Sequence, residues 1–358
     1  MSIYIHIPFC KTICSYCDFC KFYYNEKWVD DYLIALEKEI KKKYKNEIIN
    51  TIYIGGGTPT SLNEYQLEKL LRLVTIFNCK EIEFTVETNV DLTLEKIKLL
   101  KKYGVNRISI GVQTVNKKHL TFLNRNHTKE EVINLVNLLK QYNFSINVDL
   151  IYGMPNQTLK ELEQDLDFIL SLDIDHISTY SLIIEPHTKI YIDKTDYIDE
   201  DLDYQMYKLI NKKLSNYIHY EISNYAKDNH YSKHNLVYWN NLEYYGFGIG
   251  ASGYVDGIRY DNTKSYQNYL KGNYILESHR LSKKEQIENE FILGFRKIDG
   301  IDLNAFKHKF NMSVFDIPVV KQLYQENKLL IENEHLKINP KYIYISNTIL
   351  VNFVDLSF

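Results

Sequence analysis

Short runs of β-branched and aromatic residues alternate with longer amphipathic stretches through the first half of this 358-residue chain. In the longer stretches, apolar residues recur at spacings of three and four, as at Leu67, Leu70 and Val74, which is the period of an α-helix. Strands that alternate with helices are joined by right-handed crossovers and form a parallel sheet. The predicted strands are residues 2–7, 51–54, 81–86, 107–110, 145–151 and 176–182, and the predicted helices are 28–44, 64–77, 94–103, 129–142 and 159–170.

The number of strand–helix units limits the kind of sheet that can form. Six units are too few to close an eight-stranded α/β barrel, so we expect an α/β fold built on an open, partial (β/α)6 TIM-like barrel. In barrels of this kind, functional side chains lie on the loops that follow the carboxyl ends of the strands. Candidate site residues are therefore sought at those strand ends.

The alternation stops at about residue 190, where an acidic, turn-like stretch begins. We expect residues 1–190 to form the barrel, residues 191–275 to extend it, and residues 276–358 to form a small winged-helix-like domain. A linker is predicted near residues 272–279. The last domain is predicted from helices at 283–295 and 314–325, followed by strands at 329–331 and 335–338.

Three cysteines near the amino terminus, Cys10, Cys14 and Cys17, have the spacing C-x3-C-x2-C. Three thiolates on one short loop can hold three corners of a cubane 4Fe–4S cluster and leave the fourth iron free to chelate a small molecule. Ordinary ferredoxins supply four cysteines per cluster, so a three-cysteine loop indicates a different kind of site. A zinc site is the alternative, although zinc knuckles pair two ligand couples and no second CxxC or HxxxH is present. A disulfide is disfavoured, because such close cysteines in a chain without a signal peptide stay reduced.

Gly55, Gly56 and Gly57 open the motif GGGTPT directly after the second predicted strand. Three glycines let the backbone approach a ligand closely and present its N–H and C=O groups. A phosphate loop would require a following GK[ST], which is absent, and a plain tight turn is the simplest alternative. Next to a three-cysteine loop, this motif is the expected site for the amino group of a chelated ligand.

Composition and charge exclude several classes of function. The formal net charge of -3 gives no sign of a nucleic-acid surface, and no apolar stretch approaches the ~18 residues of a membrane span. Residues 3–7 are typical of a strand and not of the apolar core of a signal peptide. Five cysteines, three of them clustered, fit a reducing compartment, so we expect a cytoplasmic protein.

Together these motifs resemble the radical-SAM proteins related to oxygen-independent coproporphyrinogen III oxidase (HemN), and within that group the haem-chaperone type, HemW. The resemblance is carried by Tyr4, His6, Pro8 and Phe9 before the cysteines and by GGGTPT after them, and it runs through nearly the whole chain. It implies a radical-SAM barrel with a 4Fe–4S cluster and S-adenosylmethionine (SAM) as cofactors.

The resemblance also implies which residues contact these cofactors. The cluster ligands would be Cys10, Cys14 and Cys17. The positions at the cluster-bound SAM would be Tyr4, Gly56 and Glu87. The positions that match a second SAM in the oxidase are Tyr16, Gly57, Thr58, Gln113, Arg125 and Asp149. Carboxylates can accept bonds from ammonium and ribose hydroxyl groups, and a guanidinium can clamp a carboxylate in bidentate fashion, although each residue alone would be an ordinary surface residue in most proteins.

Two features favour the chaperone type over the oxidase. Cys17 is followed by Asp18 and Phe19, whereas the oxidase carries a further cysteine two places after the third. The oxidase also begins with a long amino-terminal extension, and only nine residues precede Cys10 here. Both departures argue against decarboxylation of coproporphyrinogen.

A second motif of the chaperone type, HNxxYW, occupies residues 234–239. The resemblance implies haem contacts by His234, Asn235, Tyr238 and Trp239. A histidine beside aromatic residues can present a ring nitrogen to haem iron while an aromatic ring packs on the porphyrin. The structural alternative is a histidine that caps a helix or bonds Glu221.

The function that the resemblance implies is that of a haem chaperone, which takes up haem and delivers it to haem-requiring apoproteins such as those of a membrane respiratory chain. An enzyme is the alternative: reductive cleavage of SAM would yield a radical that acts on a tetrapyrrole such as coproporphyrinogen, or two SAM molecules would serve a methyl transfer. A zinc-stabilised barrel without radical chemistry is the third possibility. The first two share their cofactors and differ in whether SAM is cleaved.

Overall fold

The computed structural model of the chain describes residues 1–356, so residues 357 and 358 of the predicted carboxyl-terminal domain lie outside the described residues. Within this part of the chain, twelve strands form one large sheet, three form a small sheet and two form a short pair. The strands up to residue 181 are β1 (Ser2–Ile7), β2 (Phe9–Cys10), β3 (Phe22–Tyr23), β4 (Ile48–Gly56), β5 (Asn78–Thr88), β6 (Arg107–Gln113), β7 (Ser145–Tyr152) and β8 (His176–Ser181). The later strands are β9 (Ile218–Glu221), β10 (Asn224–Ala226), β11 (Tyr244–Phe247), β12 (Ser252–Val255), β13 (Ile258–Asn262), β14 (Ile275–Arg280), β15 (Ile301–Asp302), β16 (Leu329–Glu332) and β17 (His335–Ile338).

Helices connect the strands, and most of them begin after a Ser, Thr, Asn or Asp whose side chain accepts a bond from the first turn, as Thr128 and Thr158 do. The helices of the first half are α1 (Glu26–Lys43), α2 (Glu64–Val74), α3 (Leu94–Lys102), α4 (Lys117–Phe122), α5 (Lys129–Gln141), α6 (Leu159–Ser171) and α7 (Lys189–Ile192). The later helices are α8 (Glu200–Lys213), α9 (Lys233–Trp239), α10 (Tyr266–Leu270), α11 (Lys283–Gly294), α12 (Leu303–Phe310), α13 (Pro318–Gln325) and α14 (Ser346–Leu350). Among residues 1–356, no helix is both long enough and apolar enough to cross a membrane.

The large sheet has the order β14-β13-β12-β11-β1-β4-β5-β6-β7-β8-β10-β9 and does not close on itself. Its seven central strands, from β11 to β8, are parallel to one another, and the six strands predicted from the sequence lie side by side among them. The expected open, partial barrel is therefore confirmed. The seventh parallel strand, β11, was not predicted as part of the barrel, because it joins β1 across more than two hundred residues of sequence.

The sheet is extended at both edges by antiparallel strands. Beyond β8 lie β10 and β9, and beyond β11 lie β12, β13 and β14. The linker predicted near residues 272–279 is wrong, since β14 occupies 275–280 and pairs with β13, with Arg259 opposite His279. This strand is exposed along its whole length, so its sequence lacks the apolar alternation that marks a half-buried strand.

The parallel strands carry different chemistry on their two faces. Alternate residues such as Ile3, Ile5 and Ile108 are fully buried against the surrounding helices. The residues between them, such as Arg107 and Ser109, point to the concave face and line a cavity. The barrel therefore packs its core on the outside of the sheet and leaves a polar space inside it.

The carboxyl-terminal residues build a second core around Phe291, Phe295, Phe306 and Phe353. Three helices, α11, α12 and α13, pack with the small antiparallel sheet β15-β17-β16, which is a winged-helix-like arrangement. Backbone bonds join this unit to the barrel edge: the Ile222 N–H donates to the Arg296 carbonyl at 3.0 Å, and the Ile298 N–H donates to the Tyr220 carbonyl at 3.1 Å.

A fully buried carboxylate, Glu39 of α1, fastens the first helix to the β11–β13 edge of the barrel. It forms an ion pair with Lys43 at 2.5 Å and accepts bonds from the Gly248 N–H at 2.8 Å, the Tyr269 hydroxyl at 2.6 Å and the Asn262 amide at 2.7 Å. Residues far apart in sequence thus depend on one charge, and removing it leaves several buried donors without an acceptor.

We expect Glu39→Ala to lower the free energy of unfolding by about 3 kcal/mol, because it breaks a buried and multiply bonded charge pair. Denaturant unfolding measures the loss. The matched control is Glu37→Ala, which removes the partner of Lys41 one turn away in an exposed i,i+4 pair and should cost about 0.5 kcal/mol. Equal losses in the two variants would contradict the assigned role of Glu39.

Candidate functional site

The concave face of the sheet encloses a cavity of about 390 Å³. Pairing across the strands arranges its walls in rows. One row contains Glu87, Ser109, Asn147 and His176 on adjacent strands, and the row nearer the amino ends of the strands contains Arg107. The cavity is therefore lined with hydrogen-bonding groups along its depth.

The cysteine loop lies at the carboxyl ends of the strands and closes one side of this cavity. Cys10, Cys14 and Cys17 all line it, and all three are free thiols. The loop is held by its neighbours: the Ser15 hydroxyl donates to the Phe122 carbonyl at 2.6 Å, and the Asn124 amide donates to the Ile13 carbonyl at 2.8 Å. The backbone path of the loop is thus set by the segment after α4.

Two side chains direct hydrogen-bond donors at the thiols. Arg125 Nη1 lies 3.2 Å from Cys14 Sγ, and Thr58 Oγ1 lies 3.8 Å from Cys10 Sγ. Burial raises the pKa of the Cys10 thiol to about 12 and that of Cys17 to about 11, so a bound cation is needed to hold them as thiolates.

The donor set suits a cluster in its chemistry. Three sulfur ligands on one loop, with N–H and O–H groups directed at sulfur, are the features that hold and tune iron–sulfur centres. As the side chains stand, no group of three or more His, Cys, Asp or Glu within residues 1–356 is placed to hold a metal ion. The structure therefore supports the cluster prediction through the shared loop and its donors, and not through a finished ligand cage.

The glycine motif is bonded to the segment that leads into the cysteine loop. The Gly57 N–H donates to the Ile7 carbonyl at 2.9 Å, and the Thr58 N–H donates to the Phe9 carbonyl at 2.9 Å. A methyl group at Gly57 would lie 2.8 Å from the Ile7 oxygen, and Gly56 has a φ of +107°. The close approach of the Ile7 backbone explains the glycine at position 57, and the positive φ explains the glycine at position 56.

Glu87 and Asp149 place two buried carboxyl groups in the cavity wall. The Tyr53 hydroxyl and the Gly56 N–H donate to Glu87 at 2.7 and 2.9 Å, and burial nevertheless raises the pKa of this carboxyl to about 7. The Asn147 amide donates to Asp149 at 2.8 Å, and burial raises the pKa of Asp149 as well.

Most residues predicted to contact SAM meet in this cavity. Those that line it are Tyr16, Gly56, Gly57, Thr58, Glu87, Gln113, Arg125 and Asp149. Gln113 Oε1 and Arg125 Nε are buried without a hydrogen-bond partner, as polar atoms that receive a polar ligand would be. Tyr4 is not in the lining; its hydroxyl lies 2.9 Å from His6 Nδ1, behind the wall.

The HNxxYW motif forms α9, and only Asn235 of its predicted haem contacts lines the cavity. His234 is 1% exposed, and its Nδ1 and Nε2 lie 2.8 Å from the hydroxyls of Thr51 and Tyr238. Burial, and then the charge of Arg107, lowers the pKa of His234 to about 3.

The last residue of the motif faces the carboxyl-terminal unit. The Trp239 ring lies under the Arg296 guanidinium, 5.1 Å from centroid to carbon. The assignment of haem contacts to this motif stays a prediction, and the structure places the motif between the barrel and the carboxyl-terminal unit.

Several cavity residues were missed by sequence reasoning. They are Tyr53, Asn89, Arg107, Asn147, His176, Ser178 and Tyr180. Arg107 and His176 begin their strands, and most of the others lie within a strand, away from the carboxyl-end loops where functional residues were expected. A usable signal was present in the polar residues at every second position of two β-strands, as in Arg107-x-Ser109 and Asn147-x-Asp149.

Two domain families and several known proteins match this chain. Residues 4–169 match the Radical SAM superfamily, and residues 281–343 match the HemN C-terminal domain. The chain is 42% identical to the "Heme chaperone HemW" of Bacillus subtilis (strain 168), over 87% of this chain and 88% of that protein. It is 39% identical to the "Heme chaperone HemW" of Lactococcus lactis subsp. lactis (strain IL1403), over 100% and 98%. Its fold matches that of the coproporphyrinogen III oxidase (HemN) from Escherichia coli, with a TM-score of 0.87 at 22% identity, over 99% and 90% of the two chains.

We expect Gly57→Ala to push the segment before Cys10 out of place, because its methyl group has no room against the Ile7 and Phe9 backbone. Stability should fall by about 2 kcal/mol, the usual scale of overpacking. Cys10, now 7% exposed, should be alkylated faster in the metal-free protein, as measured by mass spectrometry of its peptide. Gly104→Ala is the control: a methyl there meets no atom within 4 Å, and its φ of +82° should cost about 1 kcal/mol of strain while the alkylation rate of Cys10 stays unchanged. An unchanged rate at Cys10 in Gly57→Ala would refute the packing role.

Proposed function

This chain belongs to the HemW family of radical-SAM proteins, and we propose that it binds haem and passes it to an acceptor apoprotein while it holds a 4Fe–4S cluster and SAM in the central cavity. The observation that carries the proposal is a cavity with a polar interior and an apolar mouth, which suits two ligands of different chemistry. Its free cysteines fit a reducing compartment, and we place it in the cytoplasm. The acceptor we propose is a haem protein of a membrane respiratory chain.

The cluster and SAM would occupy the interior. When bound, a reduced cluster supplies an electron that can break the sulfonium bond of SAM. The thiols proposed to ligate the cluster are Cys10, Cys14 and Cys17. The residues proposed to hold SAM are Tyr4, Tyr16, Gly56, Gly57, Thr58, Glu87, Gln113, Arg125 and Asp149.

The chain's own groups then bind and orient SAM. Glu87 and Asp149 offer acceptors for ammonium and ribose hydroxyl groups, and Arg125 offers a donor for a carboxylate. Tyr53 fixes the Glu87 carboxyl through its 2.7 Å bond.

Haem has a large apolar plane, and the polar interior rows do not match it. Two apolar lining residues are exposed at the mouth. Phe19 on the cysteine loop is 60% exposed, and Ile183 after β8 is 62% exposed, although both line the same cavity. Ile13 and Leu182 line the same cavity, and the Lys21 ammonium, which donates to the Cys17 and Phe19 carbonyls, adds a cation for a propionate group. We therefore place haem at the mouth, between Phe19 and Ile183.

We expect Phe19→Ser combined with Ile183→Ser to weaken haem binding about a hundredfold, since two apolar side chains of this size together contribute about 3 kcal/mol when buried. An absorbance titration with haem, followed by transfer to an apoprotein haem trap, measures binding and delivery. The control is Val351→Ser with Val354→Ser, at two similarly exposed apolar residues of the carboxyl-terminal unit.

A third arm of this titration uses His234→Ala. Loss of haem only in His234→Ala would place the haem at the motif instead of the mouth. Failure of the wild-type protein to bind or transfer haem would overturn the proposed function.

SAM affinity should rise with pH in a way that depends on Glu87. Its folded-state pKa of about 7 exceeds the ordinary value of 4.5, so Glu87 favours the folded state at low pH and this contribution is lost as the pH rises through 7. The ionised form that accepts bonds from SAM is thus populated only above about pH 7. The nearest titratable groups are Tyr53, which donates to Glu87, and Asp149, which raises its pKa.

We expect anaerobic calorimetry to show SAM affinity increasing about tenfold from pH 6 to pH 8, in step with the ionised fraction of Glu87. Glu87→Gln should abolish most of this slope, while any slope from the amino group of SAM itself remains. The same slope in both proteins would remove Glu87 from SAM binding.

A further inference from the structure

Arg107 is the buried cation of this cavity that the proposed SAM and haem contacts do not use. It begins β6, is 4% exposed and lines the cavity wall. Its Nε and Nη2 atoms are buried and have no hydrogen-bond partner. These two N–H groups lie along one edge of the planar guanidinium and form the fork that binds both oxygens of a carboxylate.

The strand next to Arg107 carries a further buried donor without a partner. Thr85 lies opposite Arg107 on β5, and its hydroxyl is also buried without a partner. Unpartnered donors of Arg107 and Thr85 therefore lie on adjacent strands at the same level of the sheet, and of these two residues only Arg107 lines the cavity. Burying these hydrogen-bond donors costs free energy unless an acceptor binds them.

The carboxyl groups of the cavity do not supply that acceptor. Glu87 is bonded to Tyr53 and Gly56, and Asp149 is bonded to Asn147. Within residues 1–356, no ion pair to Arg107 is formed. The field of Arg107 nevertheless reaches the cavity, since after burial it is the main cause that lowers the pKa of His176 and of His234.

We propose that Arg107 forms a carboxylate-binding subsite at the inner end of the cavity. The site is inferred from the unpartnered N–H groups of Arg107. The identity of its ligands rests on the proposed function. Two ligands could bring the carboxylate: a propionate group of haem, or the α-carboxylate of a SAM molecule that is not chelated to iron.

The position of Arg107 separates it from the cluster. Gln113 ends the same strand six residues later, which is about 20 Å along an extended chain. The backbone of Arg107 and the cysteine loop therefore lie at opposite ends of β6, and we place the subsite apart from a carboxylate that would chelate iron. The subsite is distinct from the contacts proposed for the cluster-bound SAM.

Ligand binding to the anaerobically reconstituted protein tests the subsite. The four ligands are haem, haem dimethyl ester, SAM and decarboxylated SAM, so that each source of carboxylate has a neutral partner. The variants are Arg107→Met, which removes the fork, Arg107→Lys, which keeps the charge, and Arg280→Met, which removes an exposed arginine.

We expect Arg107→Met to weaken one carboxylate ligand by about tenfold to a hundredfold, the scale of a charge-assisted bond. The affinity for the neutral partner of that ligand should not change, and Arg107→Lys should bind the carboxylate ligand with an affinity between those of wild type and Arg107→Met. Selective loss of haem identifies a propionate, and selective loss of SAM identifies the α-carboxylate.

Equal binding of all four ligands by Arg107→Met and wild type would overturn the proposal, as would equal losses for a carboxylate ligand and its neutral partner. Should Arg107→Met fail to fold, the wild-type protein still decides: neutral partners that bind as tightly as their carboxylate forms would refute the subsite. A wild-type protein that binds no haem would contradict the proposed function. The comparison of SAM with decarboxylated SAM would still test the carboxylate subsite at Arg107.

Discussion

The two-residue period of the parallel strands is the constraint on which the rest of this molecule depends. Along a strand, successive side chains point to opposite faces. In β6, Ile108 and Ile110 pack under the helices, whereas Arg107 and Ser109 face the cavity. Parallel strands that are buried on both faces are usually apolar throughout. In this protein, apolar and polar residues alternate along the parallel strands, because the hydrophobic core lies on the outer face of the sheet and a polar binding space lies on the inner face.

Charge is distributed along the depth of that space. Arg107 lies at the amino ends of the strands and Arg125 beside the cysteine loop, with Glu87 and Asp149 between them. Burial keeps both carboxyl groups easier to protonate than usual, so the empty cavity has little need of internal ion pairs. Ligands that bring an ammonium and a carboxylate group would complete these unpaired groups. The cavity wall is therefore complementary to a zwitterion in its interior and to an apolar ring at its mouth.

The alternating strands and helices of the barrel could be predicted from the sequence, whereas the pairing of strands that are distant in sequence could not. Local period and turn residues were enough for the six parallel strands and for the helices α1, α2, α3, α5 and α6. The placement of β11 beside β1 depends on contacts between distant segments, which no local pattern encodes. The motif residues of the cysteine loop and GGGTPT were found by spacing, whereas Arg107 was overlooked because it begins its strand. His234 was assigned by likeness alone, and its buried surroundings became visible only in three dimensions.

The central claim is that three thiolates leave one iron open for SAM. Electron paramagnetic resonance of the dithionite-reduced protein, reconstituted without oxygen, tests it most directly. A 4Fe–4S signal that shifts when SAM is added, and that disappears when Cys10, Cys14 and Cys17 are replaced by alanine, is the expected result. A protein without a cubane signal, or with a signal that SAM leaves unchanged, would contradict the claim.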